Sequence, residues 1–211
     1  MALAIDSGAT DIPLIEQTIG DNLNETVARF GDSDALVVDH QGIRQTWTEF
    51  NTSVDAVAKG LMAYGIEKGD RVGMWSPNYA EWIYVQFATA KIGAIQVNIN
   101  PAYRTSELEY AMNQSGCKML VTRTEYLTSA YQDMVEQVRS NCADLEHVVY
   151  FDTSDWAELL AAGESISDQG LSARMALLDP NDAINIQYTS GTTGFPKGAT
   201  LSHRAILNDA K

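Results

Sequence analysis

One short segment combines residue types that suit the binding of a polyphosphate. Residues 188–198 read YTSGTTGFPKG. Glycines let the backbone approach a ligand closely, and a run of backbone N–H groups can donate hydrogen bonds to anionic oxygens. Lys197 adds a positive charge, and Pro196 stiffens the exit of the segment. A surface hairpin with an incidental lysine is the alternative interpretation. The side-chain hydroxyl donors are Thr189, Ser190, Thr192 and Thr193.

The spacing of this segment differs from the GxxxxGK[ST] loop of the Walker type. Counting from Gly191, Pro196 stands where that pattern needs its second glycine, and Gly198 stands where it needs Ser or Thr. An apolar strand is also predicted directly after the segment, in place of a helix. A phosphate site at a helix N-terminus is therefore not predicted.

Apolar strands alternate with amphipathic helices from about residue 70 onward. This alternation predicts an α/β fold with a doubly wound, mostly parallel sheet flanked by helices. Ligands bind such sheets at the carboxyl ends of the strands, and the glycine-threonine segment directly follows a predicted strand. Strands are predicted at 71–75, 94–99, 118–122, 147–151, 183–188 and 199–201.

Capping patterns predict where several helices begin. A helix is expected over about 18–30, followed by a hairpin around residues 40–42. The Thr46–Glu49 spacing of a capping box predicts the start of the next helix. Further helices are predicted to begin at residues 76–78, at 105–106 with Thr105 and Ser106 as caps, and over about 125–139, with a short one at 156–160. The last begins at Ser202-His203, and we expect Lys211 to lie inside it.

Composition and charge exclude several classes of protein. The chain has 211 residues, 45% of them apolar, and a formal net charge of −14, which disfavours nucleic acid as a partner. Residues 183–211 are the exception, with three basic residues and one acidic residue. Neither a secretory signal nor a membrane-spanning segment is expected, and two cysteines suit a reducing, cytoplasmic setting.

The segment 188–198 resembles the phosphate-binding motif of the adenylate-forming (AMP-binding) enzymes. The resemblance continues through KGDRV (68–72), PN (77–78), EW (81–82) and KIGA (91–94). NPAYRTSELEY (100–110) and SGCKMLV (115–121) are most similar to medium- and long-chain fatty acyl-CoA synthetases. The fold it implies is part of the large N-terminal domain of those enzymes.

This resemblance implies a two-step reaction. A fatty acid carboxylate attacks the α-phosphate of ATP, and coenzyme A then displaces AMP from the acyl-adenylate. The implied cofactors and substrates are ATP, Mg²⁺, coenzyme A and a fatty acid. Lys197 would be the catalytic residue, and Thr192 would lie near Mg²⁺. The implied phosphate-binding residues are Thr189, Ser190, Gly191, Thr192, Thr193, Gly194 and Lys197.

The same resemblance implies that the chain is part of a longer enzyme. Residues 1–69 would supply helices and a hairpin, and residues 70–211 an α/β subdomain. The family's downstream Tyr-Gly-x-Thr-Glu element does not occur, so we expect the chain alone to be inactive and prone to self-association, for example as a homodimer. The alternatives are an aryl-CoA ligase, a peptide-synthetase adenylation domain and a non-catalytic nucleotide-binding module.

Four other residues have side chains that could do chemistry. We expect His203 to support the loop or to lie near the helix N-terminus, with a role as general base or phosphate contact as the alternative. Arg104 is expected on the surface or at a helix start, with the substrate cleft as the alternative. Cys117 is predicted to be a buried apolar residue and Cys142 a loop residue.

Overall fold

A computed structural model describes residues 12–189 and 196–211. The elements alternate along the chain as the sequence predicts, and a single 3-10 turn, Asp39–Gln41, joins the first two strands. Within the described residues, no helix is long and apolar enough to cross a membrane. In chain order the elements are α1 (Ile19–Phe30), β1 (Asp34–Val38), β2 (Ile43–Thr46), α2 (Trp47–Ala63), β3 (Arg71–Trp75), α3 (Ala80–Ile92), β4 (Ile95–Ile99), α4 (Thr105–Ser115), β5 (Cys117–Thr122), α5 (Tyr131–Arg139), β6 (His147–Tyr150), α6 (Ser154–Gly163), α7 (Asp168–Met175), β7 (Ala183–Thr189), β8 (Lys197–Ser202) and α8 (His203–Asp209).

Six strands form one sheet in the order β6-β5-β3-β4-β7-β8. Every neighbouring pair is parallel except β7 and β8, which are antiparallel. The predicted doubly wound, mostly parallel sheet is therefore confirmed. β1 and β2 form a separate antiparallel hairpin, also as predicted.

Helices cover both faces of the sheet because the strands are apolar on both sides. One apolar cluster joins Val72 and Met74 of β3 to α1, α2, α3, α6 and α7. A second cluster joins Trp75 at the end of β3 to α4 and α5. The Trp75 ring stacks on Tyr131 of α5 with 3.9 Å between ring centroids. Consecutive residues of β3 thus contribute to opposite cores, as the pleat of a strand requires.

Two predicted helix starts are placed too early along the chain. The α3 helix begins at Ala80, and neither Pro77 nor Asn78 is helical. The amide of Ala80 donates to Gln41 Oε1, a cap from a residue 39 positions away that local spacing cannot reveal. The α5 helix begins at Tyr131, because residues 126–129 form a tight turn instead. In that turn Tyr126 and Ser129 exchange both backbone hydrogen bonds, and Leu127 takes a positive φ of 53°.

Three further expectations about helices change. The α4 helix is preceded by Arg104, whose N–H donates to the Glu107 carboxylate, so Arg104 and not Thr105 or Ser106 occupies the cap position. The segment after β6 contains α6 and α7, where a single short helix is predicted. The α8 helix ends at Asp209, so Lys211 lies outside it.

A buried lysine links three helices on one face of the sheet. Lys91 of α3 is 1% exposed. Its ammonium donates to Asp55 Oδ1 at 2.5 Å and Asn51 Oδ1 at 2.7 Å on α2, and it contacts Asn24 Oδ1 of α1 at 3.4 Å. A charge removed from water in this way depends on its partners, because an unpaired buried ammonium is strongly destabilising.

We predict that Asp55→Ala lowers the free energy of unfolding by roughly 2–4 kcal/mol, because it leaves the Lys91 ammonium buried without its carboxylate. Asp168→Ala is the control, since it breaks an exposed ion pair with Lys59 and should change stability little. Urea unfolding of the three proteins gives both differences. Equal losses in the two variants would contradict this role for Lys91.

Candidate functional site

The two ends of the glycine-threonine segment meet at the end of the β7–β8 pair. Thr189 pairs with Lys197 and Tyr188 pairs with Gly198 in the antiparallel ladder. Thr189 Oγ1 also lies 3.4 Å from the carbonyl oxygen of Lys197. The structure therefore brings together the first and last of the predicted phosphate-binding residues. The others, Ser190, Gly191, Thr192, Thr193 and Gly194, lie outside the described residues.

The segment starts at the carboxyl edge of the parallel sheet. β7 runs parallel to β4, with Val97 opposite Ile186 and Asn98 opposite Gln187. This is the edge at which open α/β sheets bind ligands. The chain then enters β8 at Lys197, two residues earlier than predicted, and no helix follows directly. The sequence-based distinction from a Walker loop is thus confirmed.

One helix contacts the glycine-threonine segment near both of its ends. The Tyr188 hydroxyl donates to the carbonyl oxygen of Ala111 at 3.1 Å. The Tyr110 hydroxyl donates to the carbonyl oxygen of Pro196 at 3.2 Å. Tyr110 and Ala111 are neighbours on α4. Neither contact could be predicted from the sequence. The paired residues are separated by 77 and 86 positions, and no local pattern connects residues so far apart.

Gly198 allows the two strands to pack closely. A Cβ atom at this position would lie 2.9 Å from Cγ2 of Ile186 and 3.8 Å from the Tyr188 ring. Ile186 is β-branched and has little freedom to move away. The glycine after Lys197 is therefore explained by packing within the hairpin.

The charge and protonation of the described groups suit an anion. Lys197 is exposed, and none of the ion pairs among the described residues involves it. Burial raises the pKa of Tyr188 to about 12, so its hydroxyl stays protonated at physiological pH and adds no negative charge to the segment. The described residues contain no cluster of three or more His, Cys, Asp or Glu that could hold a metal ion.

His203 lies buried at the start of α8, behind the hairpin. Its Nδ1 accepts a hydrogen bond from the backbone N–H of Ile19 at 3.1 Å. Burial is the main cause that lowers its pKa to about 4, opposed by Asp182 and Asp21. Within the described residues, Nε2 is buried and has no hydrogen-bond partner. This geometry agrees with the predicted structural role and not with a general base that contacts substrate.

The remaining candidate residues have structural positions. Arg104 Nη1 donates to Ser129 Oγ at 2.6 Å, which agrees with its predicted place at a helix start. Cys117 and Cys142 are both free and buried. Burial raises the pKa of the Cys117 thiol to about 12, so it is not a nucleophile at neutral pH.

The comparison with known families decides the relationship. The model of the AMP-binding enzyme family matches residues 23–211. The chain belongs to this family. Medium-chain acyl-CoA ligase ACSF2, mitochondrial, from Mus musculus is 40% identical over 227 residues, which cover 99% of this chain and 37% of that relative. The chain thus spans little more than a third of the length of this AMP-binding relative.

Two solved structures support the fold assignment. The inhibitor-bound N-terminal domain of FACL13 from Mycobacterium tuberculosis superimposes with a TM-score of 0.74 and 26% identity, covering 90% of this chain and 45% of that one. The anthranilate CoA ligase AuaEII, in complex with anthranoyl-AMP, gives a TM-score of 0.72 and 25% identity, covering 94% and 37%. The predicted fold class, part of the N-terminal domain of acyl-CoA synthetases, is confirmed.

The low pKa of His203 predicts how stability depends on pH. Between the unfolded pKa near 6.5 and the folded pKa of about 4, the unfolded chain binds a proton that the folded chain does not. We therefore expect this residue to contribute fully above pH 6.5, and its contribution to fall by roughly 2–3 kcal/mol as the pH drops to 4.

Urea unfolding at several pH values, compared with His203→Asn, measures this contribution. Asparagine can still accept the Ile19 N–H through Oδ1 but does not titrate, so the variant should lose less stability over the same pH range. Parallel pH profiles for the two proteins would show that His203 is not buried in the neutral form.

Proposed function

We propose that the protein containing this chain is a fatty-acid–CoA ligase, which activates a carboxylic acid with ATP and transfers the acyl group to coenzyme A. The observation that supports this most is the pairing of Thr189 with Lys197 at the carboxyl edge of the sheet, in a chain of the AMP-binding family. A relative named as a medium-chain acyl-CoA ligase supports the substrate class.

The chemical difficulty is that a carboxylate must attack a polyanion. The fatty acid carboxylate attacks the α-phosphorus of MgATP, the bond to the bridging oxygen breaks, and pyrophosphate leaves. Fixed donors that face the β- and γ-phosphates stabilise the charge that accumulates on this leaving group. In our proposal Lys197, Thr189 and the residues between them would supply these donors, and Thr192 would lie near the Mg²⁺ ion that accompanies ATP. The coenzyme A thiolate then attacks the acyl carbonyl and AMP leaves.

An aryl-CoA ligase is the second candidate. One solved structure that this chain matches is an anthranilate CoA ligase with bound anthranoyl-AMP. A substrate panel separates the two, because a fatty-acid ligase should discriminate among aliphatic chain lengths and an aryl-CoA ligase should prefer aromatic acids.

The compartment and the oligomeric state of the protein are also proposed here. Two free, buried thiols support a reducing compartment, and we propose the cytoplasm. Self-association as a homodimer is supported by exposed apolar side chains, among them Phe30 and Leu177.

The direct test is acid-dependent exchange of labelled pyrophosphate into ATP by the complete reading frame that contains these residues. We expect exchange with medium- or long-chain fatty acids and a loss of about 100-fold in Lys197→Ala, the size of effect seen when one donor to a developing anion is removed. Lys59→Ala is the matched control, since Lys59 lies in α2 and pairs with Asp168, and it should retain exchange.

The 211-residue chain forms the second arm of this experiment. It lacks the family's downstream motif, so we expect neither exchange nor acyl-CoA from it. Pyrophosphate release by the chain alone, well above its Lys197→Ala variant, would contradict that expectation. Full exchange by Lys197→Ala in the complete protein would contradict the proposed role of the lysine.

A further inference from the structure

The α4 helix contacts the residue before Thr189 and the residue before Lys197, the first and last of the residues assigned to phosphate binding. Consecutive residues make the two contacts: Ala111 accepts from the Tyr188 hydroxyl, and Tyr110 donates to the carbonyl of Pro196. Pro196 directly precedes Lys197. The distance between the entry and the exit of the segment is therefore set by one rigid element and by the β7–β8 ladder together.

A second residue on the same helix orients the Tyr110 hydroxyl. Gln114 Nε2 donates to Tyr110 Oη at 2.7 Å. The two residues are four positions apart, so they are neighbours on one face of the helix. The same hydroxyl accepts from Gln114 and donates to the Pro196 carbonyl. The hydrogen bonds thus run in one direction, from Gln114 through Tyr110 to the residue before Lys197.

Packing against the core fixes the position of α4. Leu108, Ala111 and Met112 are buried in the cluster beneath the sheet. The helix ends at Gly116, which takes the left-handed conformation with φ 64° and passes the chain directly into β5. A shift of α4 would therefore disturb the core, whereas Thr189 and Lys197 are exposed and can move with less disturbance.

We propose that Tyr110 is a positioning residue for Lys197: its hydrogen bond to Pro196 fixes where the lysine enters β8 and so where its ammonium meets the phosphates of ATP. Tyr110 does not touch the reacting atoms in this proposal. The proposal rests on the function assigned above, and its consequence is specific to one substrate. Loss of the hydroxyl should raise the KM for MgATP and leave the KM for the carboxylic acid unchanged.

The experiment compares Tyr110→Phe with Tyr64→Phe in the complete protein. Tyr64 follows α2, and within the described residues its hydroxyl forms no hydrogen bond, so it is the matched control. We expect the KM for MgATP to rise roughly three- to tenfold in Tyr110→Phe, the effect of one hydrogen bond. The KM for the acid and the melting temperature should stay close to the parent values. Gln114→Leu should raise the KM for MgATP by a smaller factor.

A merely structural role gives a different result. In that case the KM values for MgATP and acid would rise together, or the melting temperature would fall with no change in the KM for MgATP, and either outcome would overturn the proposal. An unchanged KM for MgATP at an unchanged melting temperature would overturn it as well.

Amide hydrogen exchange in the 211-residue chain separates this proposal from the proposed function. Without any ligand, the amides of Lys197 and Gly198 should exchange roughly threefold faster in Tyr110→Phe than in the parent, with β3 and β5 unchanged. If the complete protein showed no ATP-dependent activity, faster exchange would still support the positioning role. Unaltered exchange at both amides would overturn it.

Discussion

The position of β7 between β4 and β8 is the constraint on which the site depends. β7 is parallel to β4 on one side and antiparallel to β8 on the other. The chain leaves β7 at Thr189, and Lys197 pairs with Thr189 at the start of β8. Both residues therefore lie at the carboxyl edge of the parallel strands, where α/β sheets bind ligands.

The distribution of charge along the chain is compatible with the anion site that we propose. The net charge of −14 belongs to the whole chain, but residues 183–211 carry more basic than acidic residues. The side chains that hold the ends of the segment are neutral tyrosine hydroxyls, with the pKa of Tyr188 raised by burial to about 12. Lys197 is therefore the positive charge next to the segment, and its exposure leaves it available to a ligand.

The sequence predicted the features that depend on local patterns. Apolar strands bounded by glycines, the Thr46–Glu49 capping box and the motif at 188–198 each lie within a few residues, and the sheet class follows from their alternation. The features that were missed depend on distant partners. The start of α3 is capped by Gln41. Pro196, near the end of the glycine-threonine segment, is held by Tyr110, which is 86 residues away. His203 lies at a helix start, as the sequence predicts. Its hydrogen bond from the Ile19 N–H could not be predicted, because it connects opposite ends of the chain.

We propose that phosphates bind between the end of β7 and the start of β8. Backbone amide chemical shifts of the 211-residue chain, followed during titration with magnesium pyrophosphate, measure this binding at individual residues. We expect saturable shifts at Thr189, Lys197 and Gly198, and their loss in Lys197→Ala. Shifts confined to other parts of the sheet edge, or none at these three amides at saturating pyrophosphate, would contradict it.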